Sequence, residues 1–535
     1  MIHTVHRTVR AVLAPVMLLI AAGCRSPAGR YDVVVYGGTS SGVVAAVKTA
    51  RMGHAVVLIE PGRHLGGLSS GGLGATDIGN KDAIGGMSRE FYRRVGAAYG
   101  QPEAWKFEPH VAESVFNAWV REAGVPVVFG ERLDLRRGVE KRGTRITSIT
   151  MESGRSFAGR VFIDATYEGD LMARAGVSYR VGRESNAEYD ETLNGVQTQK
   201  ATHHQFVVAV DPYVVPGDPT SGLLPGIDPD GPGAEGSGDR RVQAYNYRLC
   251  TTDVPENRRA WPRPPDYDPL RYELLLRNFE AGDHRVPWYP VMMPNRKTDT
   301  NNNCAVSTDC IGMNYDYPDG DYATRERIIE AHRSYTQGLL WTLANSPRVP
   351  EEVRRHFQTW GLAGDEFIDN DNWPHQLYVR EARRMISQYV MTQHDCEGRR
   401  AAEDSVGLAA YGMDSHHVQR YVDEQGHVRN EGDIQVRVPA PYPIAYRAIV
   451  PQRRQCTNLL VPVCLSATHI AFGSIRMEPV FMVLGESAAT AAVLAIEADV
   501  DVQAVDYEQL AARLRADGQV LAWPPAPQPA PRTQP

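Results

Sequence analysis

Hydrophobic residues near the start of the chain follow the order strand, helix, strand. Residues 31–36 form an apolar run of the length expected for a buried strand. Residues 43–50 are mostly small or β-branched and predict a helix, and Gly53 suits its end. Residues 55–60 form a second apolar run that ends in an acid, Glu60. The pattern predicts a βαβ unit with two parallel strands.

Further along the chain, the pattern predicts two helices, a loop and a helix of small residues. Residues 323–345 and 377–390 predict the two helices, and residues 212–240 are rich in Gly, Pro and Asp, as loops are. Gly485 and the small residues after it predict another helix, with Gly485 at its start. The Pro-rich end of the chain, residues 524–535, is typical of disorder.

Composition narrows the class of protein. The chain has 535 residues, of which 42% are hydrophobic and 23% charged, as in globular proteins. This length predicts two or three domains, or one large domain with an insertion. The net charge of −7, with acids and bases interspersed, argues against nucleic-acid binding. Only the N-terminus has an apolar run that approaches membrane-related length, so a polytopic membrane protein is excluded.

The N-terminus has the layout of an export signal. Arg7 and Arg10 precede an apolar run at residues 11–22, which is too short to span a bilayer. Small residues then precede Cys24, as in the lipobox of bacterial lipoproteins. The sequence predicts cleavage after residue 23, a lipid anchor on Cys24, and a periplasmic or outer-membrane location. A plain secretory signal is the alternative.

The other cysteines do not have metal-site or redox-motif spacing. No pair forms C-x-x-C, which argues against zinc ribbons, thioredoxin-type sites and ferredoxin-type clusters. Export would allow disulfides. Cys304 with Cys310, and Cys456 with Cys464, are the local candidates.

A Gly-rich turn joins the first strand to the first helix. Its glycines suit a tight turn and close helix packing, and the helix N-terminus offers N–H groups to a pyrophosphate. Glu60 lies 18 residues after the last glycine of the turn, where a carboxylate can accept hydrogen bonds from ribose hydroxyls. The spacing predicts a dinucleotide site without a 2′-phosphate, formed by Gly37, Gly38, Thr39, Ser41, Gly42 and Glu60.

Gly66 and Gly67 follow Glu60 closely, as in flavoproteins of the glutathione-reductase-like superfamily. On these motifs the chain resembles the FAD-dependent oxidoreductase family, in particular its large exported bacterial members. The resemblance runs over about residues 30–500 and includes segments 161–171, 372–385, 411–416, 466–479 and 482–492.

The resemblance implies an α/β fold with a doubly wound, Rossmann-like FAD domain and a large inserted substrate or cap domain. It also implies that Ala165 and Thr166 form a turn near the cofactor. No His lies in residues 68–76, so we expect non-covalent FAD. The expected segments are the signal peptide at 1–23, the FAD domain at 30–175 and 446–500, the insertion at 176–445, and a C-terminal helix and tail at 501–535.

The small-residue helix is expected to point its N-terminus at the flavin, with Gly485, Ser487 and Ala488 close to the cofactor. Negative charge on the reduced flavin would be stabilised there by the helix dipole. A core helix packed on the sheet is the alternative interpretation of the same residues.

Histidine suits a general base near neutral pH, and three histidines lie in segments that resemble the family. His469 is the first choice because it precedes the small-residue helix, and His416 and His375 follow. Arg380 would orient a carboxylate or polar substrate from a helix that it shares with Arg384. A structural role is the alternative for each, and we expect no metal site.

The predicted function is FAD-dependent oxidation or reduction of a small organic substrate outside the cytoplasm, with an unknown electron acceptor. The first alternative is a flavoprotein that transfers electrons to an iron–sulfur or disulfide partner. The second is a surface binding protein that retains the fold without catalysis.

Overall fold

The computed structural model describes residues 30–524, so Cys24 and the Pro-rich end beyond residue 524 lie outside the described residues. The strands are β1 Arg30–Tyr36, β2 Val56–Glu60, β3 Val127–Phe129, β4 Val139–Arg142, β5 Arg145–Thr150, β6 Ser156–Asp164, β7 Tyr179–Arg180, β8 Cys250–Thr252, β9 Arg258–Arg259, β10 Trp288–Met292, β11 Lys297–Asn302, β12 Gly361–Ala363, β13 Arg384–Met385, β14 Ser405–Ala409, β15 Met413–Ser415, β16 Gln419–Val422, β17 Val428–Glu431, β18 Ile434–Val436, β19 Tyr442–Ala445 and β20 Leu459–Leu460. The α-helices are α1 Ser40–Arg51, α2 Gly86–Ala98, α3 Pro109–Glu122, α4 Asp170–Arg174, α5 Asn186–Tyr189, α6 Glu273–Glu280, α7 Tyr322–Asn345, α8 Glu351–Thr359, α9 Gln393–Cys396, α10 His469–Ile475, α11 Glu478–Ala498 and α12 Tyr507–Ala516.

The first sheet has the predicted doubly wound arrangement. Its strand order is β3-β2-β1-β6-β5-β4, and β20 also pairs with β6. Strands β1, β2, β3, β6 and β20 run parallel, whereas β4 and β5 form an antiparallel hairpin against β6. The sheet therefore joins a segment near the start of the described chain to one near its end. The predicted α/β, Rossmann-like fold is confirmed.

The middle of the chain builds separate small sheets. The largest has the order β10-β11-β8-β12-β9 and is antiparallel. A short ladder of β7 with β13 lies close to the point where the chain leaves the first sheet. These additional sheets indicate a further domain, and the predicted domain boundaries stay predictions.

Two of the predicted helices have different outcomes. Helix α7 confirms the helix predicted over residues 323–345. The helix predicted over residues 377–390 is wrong, because this segment is irregular apart from β13. Its charged side chains are nearly all buried and reach partners in several directions, which one helix face cannot provide. The shared helix predicted for Arg380 and Arg384 is therefore wrong as well.

The helix of small residues begins earlier than predicted. Helix α11 begins at Glu478, with Pro479 in its first turn, so Gly485 lies in its interior. A Cβ on Gly485 would lie 2.3 Å from Ser41 O in α1, so the glycine lets the two helices pack closely. Glu478–Ala498 is the one described helix long and apolar enough to cross a membrane, so the expectation that only the N-terminal run approaches this length is wrong. Of its most apolar window, 94% is buried inside the protein.

The six cysteines of the described chain are buried and carry free thiols, so the expected local disulfides do not form in this structure. Cys456 contacts Asn458, and Cys464 contacts the carbonyl groups of Thr166 and Tyr167. The thiols of Cys456 and Cys464 thus contact neighbouring polar groups and not each other.

Candidate active site

The Gly-rich turn is tight enough to exclude side chains at two positions. Gly37 has φ +100°, and a Cβ on Gly42 would lie 1.8 Å from Gly37 O. Thr39 caps α1 by accepting from Gly42 N, and its hydroxyl donates to Ala165 O at 2.7 Å. The turn, the first turn of α1 and the residues after β6 therefore meet at one edge of the parallel sheet.

Glu60 is the last residue of β2 and lies at the same edge of the sheet. Its carboxylate accepts hydrogen bonds from Gly38 N at 2.6 Å and Gly62 N at 2.5 Å. Burial raises the pKa of Glu60 to about 7, although both hydrogen bonds act to lower it. A carboxylate that has lost this much hydration gains from further donors, such as two ribose hydroxyls.

The second pair of glycines lies beside the first turn. Gly66 N donates to Gly38 O at 2.8 Å. A Cβ on Gly66 would lie 2.3 Å from the Phe116 ring, and one on Gly67 would lie 2.3 Å from the Tyr167 hydroxyl. Both glycines have positive φ, so the chain needs glycine at these positions for conformation and for space.

Two adjoining cavities of about 310 and 280 Å³ open along these turns. They share the lining residues Thr39, Glu60, Gly62, His375 and Gln376. Gly67 lines the first, and Gly37 and Thr166 line the second. We call this pair of cavities the cofactor cleft. Its three glycines, the N-terminus of α1 at Thr39 and the buried Glu60 fit the FAD that the sequence predicts.

Eight of the predicted cofactor contacts are not in the cleft lining: Gly38, Gly42, Gly66 and Ala165 lie in or beside the glycine turns, whereas Ser41, Gly485, Ser487 and Ala488 pack elsewhere. The hydroxyl of Ser41 is buried without a partner and is directed at Gly485. Ser487 donates to Val406 O at 2.7 Å, and Ala488 is buried in the core. Because α11 begins at Glu478, the placement of Gly485, Ser487 and Ala488 at a helix N-terminus is wrong, and their contact with the flavin stays a prediction.

Glu478, the first residue of α11, is the group that reaches the glycine turns. Its buried carboxylate accepts from the hydroxyls of Ser40 at 2.6 Å, Tyr167 at 2.7 Å and Ser69 at 3.0 Å. Burial raises the pKa of Glu478, and the three donors lower it. The carboxylate thus links α11 to both Gly-rich turns.

His375 lies in the wall of the cofactor cleft. Its ring stacks on His64 at a centroid distance of 4.0 Å, and both of its ring nitrogens lack a partner within the described residues. Burial lowers the pKa of His375 to about 3, so the ring is neutral at physiological pH. Its position beside Glu60 and Gly67 suits contact with the cofactor rather than proton abstraction from a substrate.

The chain after His375 leads from the cleft into a buried polar cluster. The Tyr378 ring lies beneath the guanidinium groups of Arg380, at 4.8 Å, and Arg476, at 5.6 Å. Arg476 donates to the Tyr378 hydroxyl at 2.7 Å and lies 3.4 Å from an oxygen of Asp414. Asp414 keeps 15% of its side-chain surface accessible, so it is the least buried member of this group of side chains.

His416 and Asp309 form a dyad beside Arg380. His416 Nδ1 lies 2.7 Å from Asp309 Oδ2, and Arg380 Nη2 lies 3.0 Å from the other oxygen, Oδ1, at an angle too poor for a hydrogen bond. Burial would raise the pKa of Asp309, but Arg380 and His416 outweigh it and hold this pKa well below its usual range.

The same surroundings keep the imidazole of His416 neutral. Burial, followed by the charge of Arg380, lowers the pKa of His416 to about 3. With Nδ1 bonded to Asp309, Nε2 is the nitrogen left to accept a proton, and the nearest carboxylate oxygen to it is Asp414 Oδ2 at 3.9 Å. A neutral imidazole oriented by a carboxylate is the arrangement of a general base.

His469 lies behind this dyad in a structural network. It begins α10, and its Nδ1 lies 2.7 Å from Glu381 Oε2. Glu381 also accepts from Gln243, whose side-chain oxygen accepts from His416 N at 3.2 Å. Burial lowers the pKa of His469 to about 3. The structure thus connects His469 to His416 through two side chains.

One group of possible metal ligands is already occupied by a lysine. Glu108, His110 and Glu366 approach one another closely enough to hold an ion. However, Lys297 Nζ lies 2.7 Å from Glu108 Oε1 and 2.6 Å from Glu366 Oε1. The ammonium group provides the positive charge that this group of acids requires.

Fold and site together define an α/β protein with a dinucleotide cleft and a buried acid–base cluster beside it. The family model described as FAD dependent oxidoreductase matches residues 32–514. The chain belongs to this family, and its cofactor is FAD. No curated protein matches the chain.

Solved structures share only part of the fold. An L-proline dehydrogenase from P. horikoshii is 16% identical over 30% of this chain and 59% of its own, with a TM-score of 0.24. A flavin-containing monooxygenase from Stenotrophomonas maltophilia is 19% identical over 30% and 43%, with a TM-score of 0.19. A bacillithiol disulfide reductase from Staphylococcus aureus is 18% identical over 26% and 38%, with a TM-score of 0.19. The match thus spans less than two thirds of each of these proteins.

Proposed function

We propose that the protein is an exported FAD-dependent enzyme that oxidises a small organic substrate, with His416 as the general base. The observation that carries the proposal is the neutral His416–Asp309 dyad, which lies beside Arg380 where the chain leaves the cofactor cleft. FAD would supply the two-electron acceptor for the substrate hydride. His416 Nε2 would take the hydroxyl or amine proton, and Asp309 would hold the ring in the required orientation.

His416 replaces His469 as the first choice for the base. His469 is paired with a carboxylate in the same way, through Glu381, but its side chain keeps only 2% of its surface accessible, against 8% for His416. Asp309 and Tyr378 join the site as residues that sequence reasoning did not single out. His375 is reassigned to the cofactor, because it lines both cavities of the cleft.

The N-terminal sequence supports the part of the proposal that concerns export. The segment before Cys24 resembles a lipoprotein signal, and we propose a lipid anchor that holds the enzyme at the periplasmic or outer membrane. The electron acceptor would then be a component of that compartment or membrane.

The alternative of disulfide chemistry has less support. Burial raises the pKa of the thiols of Cys250, Cys310 and Cys464 well above the usual value. Reactive thiols have lowered pKa values and lie at accessible positions.

The proposal is tested by anaerobic flavin bleaching. Purified holoprotein is mixed with panels of hydroxy acids, amines, polyols and thiols, and the flavin absorbance is followed. Bleaching by at least one organic substrate is the expected result, and it should be slowed in His416→Asn. A holoprotein that no panel reduces, and that contains iron with acid-labile sulfide, would favour electron transfer instead.

A further inference from the structure

Arg380 has one guanidinium edge that no hydrogen bond satisfies. The side chain is fully buried, and neither Nε nor Nη2 has a hydrogen-bond partner in the described part of the chain. Nη1 is different, because it donates to Ala244 O. Buried donors are almost always paired in native proteins, so the open edge indicates a missing acceptor.

Other arginines of this protein show what the same edge binds. Arg183 donates through Nε and Nη2 to the two carboxylate oxygens of Asp239, at 3.1 and 2.6 Å. Arg447 binds Asp404 in the same way, at 2.9 and 3.0 Å. Two parallel donors match the two oxygens of a carboxylate. A carboxylate is therefore the group that fits the open edge of Arg380.

Asp309 is not a two-oxygen partner for the Nε and Nη2 donors of Arg380. Its Oδ2 is bonded to His416, and its Oδ1 approaches Arg380 at an angle that leaves both groups unsatisfied. Asp309 therefore serves as the partner of His416, and the Nε and Nη2 donors of Arg380 can bind another carboxylate. Arg380 and His416 each contact one oxygen of the same carboxylate, so they lie close enough to hold neighbouring groups of one small molecule.

We propose that the substrate is a carboxylic acid with a hydroxyl or amino group on the adjacent carbon, and that Arg380 binds the carboxylate while His416 faces that neighbouring group. This inference rests on the proposed function, since it assigns the substrate class of the same site. The Tyr378 ring covers one face of the Arg380 guanidinium, at 4.8 Å, and also contacts Arg476, so the acid would bind at the edge of Arg380 and not on that face.

The chemistry balances as a two-electron oxidation. The substrate carbon would lose its hydrogen with the electron pair, as hydride, and bound FAD would be the two-electron acceptor. The hydroxyl or amine proton goes to His416 Nε2, and the carbon–oxygen or carbon–nitrogen bond becomes double. The product is a 2-oxo acid or a 2-imino acid, which water converts to the 2-oxo acid and ammonia.

The test compares substrates that differ only in charge. Wild-type holoprotein is mixed anaerobically with 2-hydroxy and 2-amino acids, from lactate and alanine to mandelate and phenylalanine, and with the amide of each acid. We expect at least one acid to bleach the flavin roughly 10- to 150-fold faster than its amide, the range for losing a charged hydrogen-bond partner. Equal rates for acid and amide, or bleaching only by polyols, amines or thiols, would overturn the substrate class and leave the proposed function standing. A flavin that no compound bleaches would contradict both.

Binding gives a second readout that does not depend on turnover. A 2-oxo acid cannot be oxidised in this reaction, and its binding is followed through the shift of the flavin absorbance bands. Arg380→Lys keeps the charge but removes the two-donor edge, so Kd should rise roughly 10- to 150-fold. Arg240→Lys, at an exposed arginine, is the control and should bind as wild type does. An unchanged Kd in Arg380→Lys would refute the assignment, and if this variant loses FAD, the comparison of acid with amide decides.

Discussion

The affinity of the apoprotein for FAD should rise with pH because of Glu60. Burial raises the pKa of Glu60 from 4.5 to about 7 in the protein without cofactor. Ribose hydroxyls that donate to the carboxylate would stabilise its ionised form and lower this pKa again. FAD binding therefore releases a proton from Glu60 between about pH 5 and 7, and binding becomes tighter as the pH increases across this window.

The magnitude follows from the size of the pKa change. One pH unit of pKa change corresponds to about 1.4 kcal/mol. If the ribose reverses half of the rise from 4.5 to about 7, the gain in binding free energy is about 1.7 kcal/mol, or roughly 20-fold in Kd.

The raised pKa of Glu60 also makes the folding stability of the apoprotein depend on pH. The contribution of Glu60 to the stability of the apoprotein is complete below about pH 4.5 and is lost as the pH rises to about 7.

Equilibrium titration of apoprotein with FAD at pH 5.5 and 7.5, followed by flavin fluorescence, measures the effect. Glu60→Gln should bind more weakly at pH 7.5 and lose the increase in affinity with pH. Glu486→Gln is a matched control, because burial raises the pKa of Glu486 to about 7 as well, but its partners are Met87 N and Gln519. His64, whose pKa is raised by its hydrogen bond to Glu113, would produce the opposite slope by attracting phosphate at low pH. If the FAD affinity of Glu60→Gln rose with pH as much as that of the wild type, Glu60 would not be the cause of the pH dependence.

Three further predictions use other parts of the molecule. Gly485→Ala should lower the melting temperature and not the rate of flavin reduction per bound FAD, because its Cβ would lie 2.3 Å from Ser41 O at the packing of α11 on α1; a selective loss of rate would return this residue to the flavin. Thiol reagents should modify the six cysteines of the described chain only after unfolding, since all six are buried, and labelling of native protein would contradict their placement. Palmitate labelling should tag the full-length protein and not Cys24→Ala, and an untagged wild type would indicate a plain secretory signal.

The cofactor site could be predicted because its signals are local. The strand, glycine turn, helix and second strand lie within residues 31–60, and their hydrophobic pattern defines both the elements and their order. Glu60 and the turn glycines occupy the expected positions for the same reason. The sequence predicts a helix start at Gly485 because this glycine precedes a run of small residues. Helix α11 instead begins at Glu478, with Pro479 in its first turn, and Gly485 allows close packing on α1.

The buried cluster that we propose as the catalytic site could not be predicted in the same way. Asp309 meets His416 across 107 positions of sequence, and no motif connects them. Arg380 lies in an irregular segment, although the spacing of its neighbouring arginines resembles a helix face. Such contacts depend on how distant segments of the chain pack against one another, which hydrophobic periodicity does not encode.

The central claim is that His416, and not His469, removes the proton when the substrate is oxidised. Single-turnover stopped-flow reduction of the flavin, scaled to bound FAD, should compare His416→Asn with His469→Asn. We expect His416→Asn to keep its FAD and to be reduced roughly 10²- to 10⁴-fold more slowly, whereas His469→Asn should lose stability and be reduced at nearly the wild-type rate. A near-wild-type rate in His416→Asn, with a large loss in His469→Asn, would contradict it.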